Sequence, residues 1–245
     1  MRLIITEKND AAKKIAGILA TGGMKEESHY KIPYYVFADA QGDDTAVVGL
    51  KGHVVQVDFP AEYSEWRKVE PKALIDAPLI KTETAKSVVR TVKKLAADAT
   101  SLIIATDFDR EGELIGLEAL NLAAEENPKL VRAVRRARFS ALTPGEITRA
   151  FSDLDHLSEP LARAGEARQD IDLIWGATLT RFVSLATSRL GSQFLSVGRV
   201  QTPTLVLIAE REKERRAFVP EPFWVVKVEL EAGGQRFSAV HKEER

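Results

Sequence analysis

Asp107, Asp109 and Glu111 alternate with Phe108 and Arg110 directly after the apolar run Ile103-Ile104-Ala105. Gly112-Glu113 and an apolar-periodic segment follow. The β-branched run reads as a buried strand whose C-terminal end presents three acidic side chains before a helix begins. In open α/β sheets, ligands bind in the crevice beyond the strand ends. Carboxylates that close repel one another and stay ionised together only beside a cation. Hard oxygen donors there suit Mg²⁺, which takes one or two carboxylates with waters and substrate phosphate. A solvated acidic turn is the plain alternative, and the apolar lead-in together with the tight spacing favours the metal.

Two further groups could share that chemistry. Glu7-Lys8 follows a first strand-like run, Arg2–Thr6, and adjoining strand ends would let this pair face the three acids across one crevice. Arg199 is the only charged residue between Leu190 and Ala209, and it follows Gly198. Glycine allows close backbone approach to a phosphate, while Arg199 and Gln201 can donate to its oxygens. A salt bridge to a buried acid is the competing role for Arg199. Arg168, Gln169 and Asp172 have spacings that share one helical face.

The elements that must carry these groups alternate. Asn9–Ala20 reads as a helix with Asn9 or Asp10 as its cap, and Thr45–Leu50 and Val54–Val57 read as strands. Asp58–Ala77 is expected to be irregular. Glu83–Ala97 has helical core spacing, the strand Leu102–Ala105 leads into a helix carrying Ile115, Ala119 and Leu122, and Val131–Phe139 and Pro144–Phe151 read as strand and helix. This alternation builds a parallel sheet. From Pro160 the pattern is helical, and Phe223–Val240 alternates around Gly233-Gly234 as a hairpin. The expected order is an α/β domain over residues 1–153, a mainly helical domain over 154–218, and the start of a β-rich piece over 219–245, cut short at Arg245.

The 245 residues suffice for one large or two small domains, with 44% hydrophobic and 29% charged residues. No apolar run is long enough to span a bilayer, and Met1–Thr6 lacks the layout of a signal peptide. The absence of cysteine excludes disulfides and thiolate zinc sites, compatible with a cytoplasmic protein. The net charge of −1 conceals an uneven distribution: Lys129–Phe151 carries six basic residues against one acid. A basic middle beside an acidic metal site suits a polyanion.

Thr6-Glu7-Lys8-Asn9 with Asp107-Phe108-Asp109-Arg110-Glu111-Gly112-Glu113 resembles the Toprim domain of topoisomerases, primases and some nucleases. Three later elements select among these. Lys51-Gly52-His53, the segment Ala167–Gly176 with Thr180-Arg181, and Leu195-Ser196-Val197-Gly198-Arg199-Val200-Gln201-Thr202-Pro203 are similar to type IA DNA topoisomerases, on the archaeal and topoisomerase III side. The similarity runs from Met1 to about Phe218.

The resemblance implies an ATP-independent enzyme that cleaves and religates one DNA strand through a tyrosyl 5′-phosphate. Such an enzyme relaxes negative supercoils or unlinks strands. Glu7 would exchange a proton with the leaving 3′ oxygen, and Lys8 would stand beside the scissile phosphate. Asp107, Asp109 and Glu111, with Glu7, would hold Mg²⁺. Glu113 is a weaker candidate, placed to favour the helix N-terminus. His53, Trp66, Arg110, Arg168, Gln169, Asp172 and the run Ser196, Val197, Gly198, Arg199, Val200, Gln201 would contact the single-stranded segment of negatively supercoiled DNA. His53 reads equally as a turn residue, Trp66 as core, and Arg110 as the partner of a neighbouring carboxylate. Tyr30, Tyr34, Tyr35 and Tyr63 all precede the acidic motif, and none matches the family's nucleophile. The chain is therefore expected to be the N-terminal part of a longer enzyme, binding Mg²⁺ and single strands without cleaving. A Toprim-type Mg²⁺-dependent nuclease and a non-catalytic DNA-binding accessory protein are the rival readings.

Overall fold

The computed structural model describes Met1–His241, and contacts divide the chain into two units, residues 1–199 and a second beginning at Val200. In the first unit the elements run β1 (Arg2–Thr6), α1 (Asn9–Leu19), β2 (Lys25–His29), β3 (Ile32–Ala38), β4 (Asp44–Gly49), β5 (Val55–Asp58), β6 (Ile80–Glu83), α2 (Lys86–Ala97), β7 (Ser101–Ala105), α3 (Arg110–Glu126), α4 (Leu130–Ala133), β8 (Val134–Arg136), α5 (Pro144–Ser152) and α6 (Glu159–Ala186). The second holds α7 (Gln201–Ala217) and the hairpin β9 (Lys227–Ala232) and β10 (Gln235–Val240).

The main sheet has the order β2-β3-β4-β1-β7-β8. β1 lies between β4 and β7 and runs parallel to both, while β2 and β3 are antiparallel additions. Side chains alternate between faces along each strand. Leu3, Ile5, Val48, Leu102 and Ile104 pack with α2 and α3, whereas Ile4, Val47 and Ile103 pack with α1 and α5. Burial on both faces explains the unbroken apolar runs of the central strands. Each fully buried aliphatic side chain stabilises this core by roughly 1.5–3 kcal/mol.

Several expected boundaries move. Lys8, in extended conformation, occupies the N-cap of α1 in place of Asn9 or Asp10, and no side chain caps that helix. Glu83 closes β6, so α2 begins only at Lys86. The run expected as one strand over Val131–Phe139 opens in the helical turn α4 and pairs with β7 over three residues only. The segment expected to be irregular over Asp58–Ala77 contains two short 3-10 turns. The hairpin β2–β3 has no counterpart in the sequence reading. Its edge strand, Lys-Glu-Glu-Ser-His, lacks apolar alternation. Its two-residue turn is Tyr30-Lys31, both at positive φ (48° and 64°) without the Asn or Gly that usually marks such a turn.

Candidate active site

β1 and β7 end side by side, with Thr6 opposite Ala105. The residues that leave these strands, Glu7-Lys8 and Asp107–Glu111, therefore start from neighbouring points on one sheet edge. β4 ends there too. Leu50 N donates to Thr6 O at 2.9 Å and Gly52 N to Glu7 O at 3.1 Å, which ties Lys51-Gly52-His53 to the same corner. A Cβ on Gly49 would stand 2.5 Å from the backbone of Asn9, so only glycine lets α1 start this close to β4.

The acidic turn is built from backbone bonds. Asp109 caps α3, its Oδ1 accepting from Gly112 N at 2.8 Å, as an N-cap aspartate should. Asp109 N donates to Asp107 O at 3.0 Å. A Cβ on Gly112 would lie 2.0 Å from that carbonyl oxygen, so the turn closes only around glycine. The Asp107 carboxylate is exposed and has no hydrogen bond or ion pair among the described residues. Glu7 is partly buried, its Oε1 3.6 Å from the exposed Lys8 Nζ.

Glu111 points the other way, into a groove of about 570 Å³ lined by Lys51, His53, Arg168, Gln169 and Asp172 among others. Its Oε1 accepts from Arg168 Nη1 at 2.6 Å, and its Oε2 lies 3.3 Å from His53 Nε2. His53 Nδ1 lies 3.2 Å from Glu118 Oε1, and the Gln169 amide rests against the ring, 3.0 Å from Nε2. The hydrogen bond to Glu118, aided by Glu111, raises the His53 pKa against the opposing effect of burial. The sequence reading missed Glu118; it lies two helical turns beyond Glu111 on α3. Asp172 lies 3.6 Å from Arg168 Nε and 2.7 Å from Arg199 Nε, linking the two arginines.

The segment before Arg199 is fastened to α6 by two hydroxyls one turn apart. Thr180 Oγ1 accepts from Val197 N at 2.9 Å, and Ser184 Oγ accepts from Leu195 N at 2.9 Å. Ser184 carries no signal of this role in the sequence, since a hydroxyl among apolar helix positions does not announce its partner. Ser196 is exposed and Gly198 half-buried. Val200 and Gln201 fall in the second unit, at the N-terminal end of α7, where Val200 O accepts from Thr204.

Three other candidates have distinct surroundings. Glu113 stands in the first turn of α3, as expected, but it is fully buried and paired with Arg136 at 2.7 Å. Arg110 is exposed and forms no ion pair among the described residues, so the alternative role as partner of a neighbouring carboxylate is not met. Trp66 is half-buried, edge-on to Phe194 at 5.9 Å with Arg181 above its ring. Among the described residues, no three His, Asp or Glu side chains are gathered closely enough to hold one ion. The donor set fits Mg²⁺ nonetheless, because that ion needs only one or two carboxylates, and Asp107 and the free oxygen of Asp109 supply hard oxygens.

The parallel core with an acidic turn at the end of β7 defines a Toprim domain, and the Toprim family model matches residues 2–142. The DNA topoisomerase family model matches residues 156–245. The chain belongs to the type IA DNA topoisomerases. It is 43% identical over 234 residues to DNA topoisomerase 1 of Thermoplasma acidophilum, covering 96% of this chain and 30% of that protein. It is 37% identical to DNA topoisomerase 3-alpha of Drosophila melanogaster, covering 92% and 19%. Full-length topoisomerase I of Thermotoga maritima superposes with a TM-score of 0.57 at 28% identity, over 93% of this chain and 32% of that one. The chain thus spans about a third or less of the length of these relatives. No helix among the described residues is long and apolar enough to cross a membrane.

Proposed function

We propose that this chain supplies the metal-binding and strand-gripping part of a cytoplasmic type IA topoisomerase that breaks and rejoins one DNA strand without ATP. The domain assignment we propose is Toprim over 1–153, a helical strand-binding domain over 154–218 and the opening of a gate domain over 219–245. The observation that carries this reading is the Glu111–Arg168 contact, which joins the acidic turn and the basic groove into one continuous site. A phosphodiester can then lie with its oxygens towards Arg168 and Arg199 while its reacting phosphorus faces the strand ends.

Asp107 and Asp109, joined by Glu111 once Arg168 turns to phosphate, would hold Mg²⁺. When bound, the ion would supply positive charge for the phosphate oxygens. Glu7 gives a proton to the 3′ oxygen as the P–O3′ bond breaks and takes it back in religation. Lys8, exposed beside it, adds charge at the scissile phosphate. His53, Gln169 and Trp66 line or flank the strand's path; Arg110, exposed at the first residue of α3, is a further phosphate contact. Ser196, Val197 and Gly198 bring backbone close to the sugar–phosphate chain, and Val200 and Gln201, in the second unit, are separate contacts to DNA in this reading. Binding through backbone and stacking gives little sequence preference. We assign the attacking role to none of the four tyrosines: Tyr34 is bonded to Glu27, Tyr35 is buried beside Asn9, and neither Tyr30 nor Tyr63 lines the groove. The chain by itself then binds Mg²⁺ and single strands without cutting.

The test separates the two ligands. Asp107→Ala with Asp109→Asn, the asparagine keeping the helix cap, should abolish Mg²⁺ binding in calorimetry and spare single-strand affinity in EDTA. Arg199→Ala should spare Mg²⁺ binding and weaken an oligothymidylate about tenfold, the worth of one charge-assisted hydrogen bond. If both ligands bind both variants as they bind the parent, the proposed site is wrong.

A further inference from the structure

Arg136 is among the largest side chains with no exposure at all, and the function just proposed gives it no task. It stands on β8, beneath the acidic turn. Its Nε donates to Glu113 Oε1 at 2.7 Å, its Nη1 to Ala137 O at 2.6 Å, and its Nη2 to Asp107 O at 2.8 Å. The other Glu113 oxygen accepts from Ser158 N, the N-cap of α6, at 3.0 Å. A buried ion pair is poor value as a stabiliser, since apolar residues of the same volume often serve as well. What such residues could not supply is direction. The planar guanidinium presents a rigid fork of donors, and here the fork reaches α3, the acidic turn and the backbone just beyond β8 at once.

We propose that Arg136, aimed by Glu113, is the positioning residue that holds the Asp107–Asp109 turn in its binding shape before any ligand arrives; this rests on the metal role proposed above for that turn. The Asp107 carbonyl takes two donors, Arg136 Nη2 and Asp109 N, which occupies both of its lone pairs. Gly112 closes the third side, and Thr106 Oγ1 donates to Gly112 O at 2.7 Å. The peptide is fixed while the carboxylate stays exposed for a ligand. Through Ser158 the same pair anchors the start of the helix that carries Arg168 and Asp172, so the acidic turn and the basic groove share one reference point.

Arg136→Lys keeps the charge beside Glu113 and loses the fork. Well below its melting temperature, this variant should bind Mg²⁺ about 10- to 100-fold more weakly in calorimetry, as for other groups that orient metal ligands. Its preference for Mg²⁺ over Ca²⁺ should narrow, because a loosened site tolerates the larger ion. A purely structural role would lower the melting temperature and leave both readings at the parent's values, which would overturn the proposal. The Asp107→Ala, Asp109→Asn variant is the control: if it binds Mg²⁺ like the parent, the metal role itself fails, whatever Arg136 does. Hydrogen exchange on the unaltered, metal-free chain decides the matter even if the lysine variant does not fold. The amides of Asp109, Gly112 and Glu113 should be protected already. Their free exchange until Mg²⁺ is added would refute pre-positioning.

Discussion

Replacing Arg168 by methionine should strengthen Mg²⁺ binding and weaken single-strand binding. The methionine keeps an unbranched apolar stem at this position of α6 and removes only the guanidinium. That group holds Glu111 at 2.6 Å, with both side chains about one-third exposed (32% each). A pair this open to solvent contributes about 1 kcal/mol at most. Releasing Glu111 therefore makes the carboxylate available to the cation for about a fivefold gain in affinity. The same change removes one phosphate contact, so the slope of log K against log salt should fall in magnitude by about 0.7 on single strands. Calorimetry gives the first quantity, and fluorescence anisotropy of a labelled oligothymidylate between about 50 and 200 mM salt gives the second. Coupling should change as well. If phosphate draws Arg168 from Glu111, DNA and Mg²⁺ each tighten the other by the same factor in the parent, and the factor should shrink in the variant. Mg²⁺ affinity that stays level or falls, with an unchanged salt slope, would refute the exchange of partners at Glu111.

Two further outcomes follow from the same corner of the sheet. Gly112→Ala places a methyl group 2.0 Å from the Asp107 carbonyl oxygen, a backbone atom that cannot rotate away. Destabilisation of roughly 1–3 kcal/mol is expected from a thermal or urea melt, and a melt equal to the parent's would contradict the turn geometry. His53 has a raised pKa, so its contacts with Glu118 and Glu111 contribute stability that is complete below the ordinary value of 6.5 and is lost as pH climbs through the raised one. The stability difference between the parent and His53→Gln should therefore shrink as pH rises above 6.5; a constant difference would show that the charged form is not what those carboxylates hold.

The strands and helices that bear the site could be read because each obeys a local period. β1 and β7 are continuous apolar runs, and α2 and α3 repeat apolar residues at helical spacing. The hairpin β2–β3 escaped because its edge strand is charged and its left-handed turn is made by Tyr30 and Lys31. Val131–Phe139 misled because an apolar and arginine-rich run has strand-like composition whether or not a neighbour pairs with it.

Residue types and short-range spacing were enough to reveal three acids at a strand end, a lone arginine behind a glycine, and a polar stripe on one helix. These features depend on a few consecutive residues and the geometry of a single element. Partnership was decided in three dimensions. Glu113 and Arg136 are 23 positions apart, His53 and Glu118 are 65, and Arg168 and Glu111 are 57. Nothing local distinguishes a carboxylate that will be buried under a guanidinium from one left open to a cation. Sheet order and the docking of α6 on α3 make that choice, because only they determine which charges leave water together.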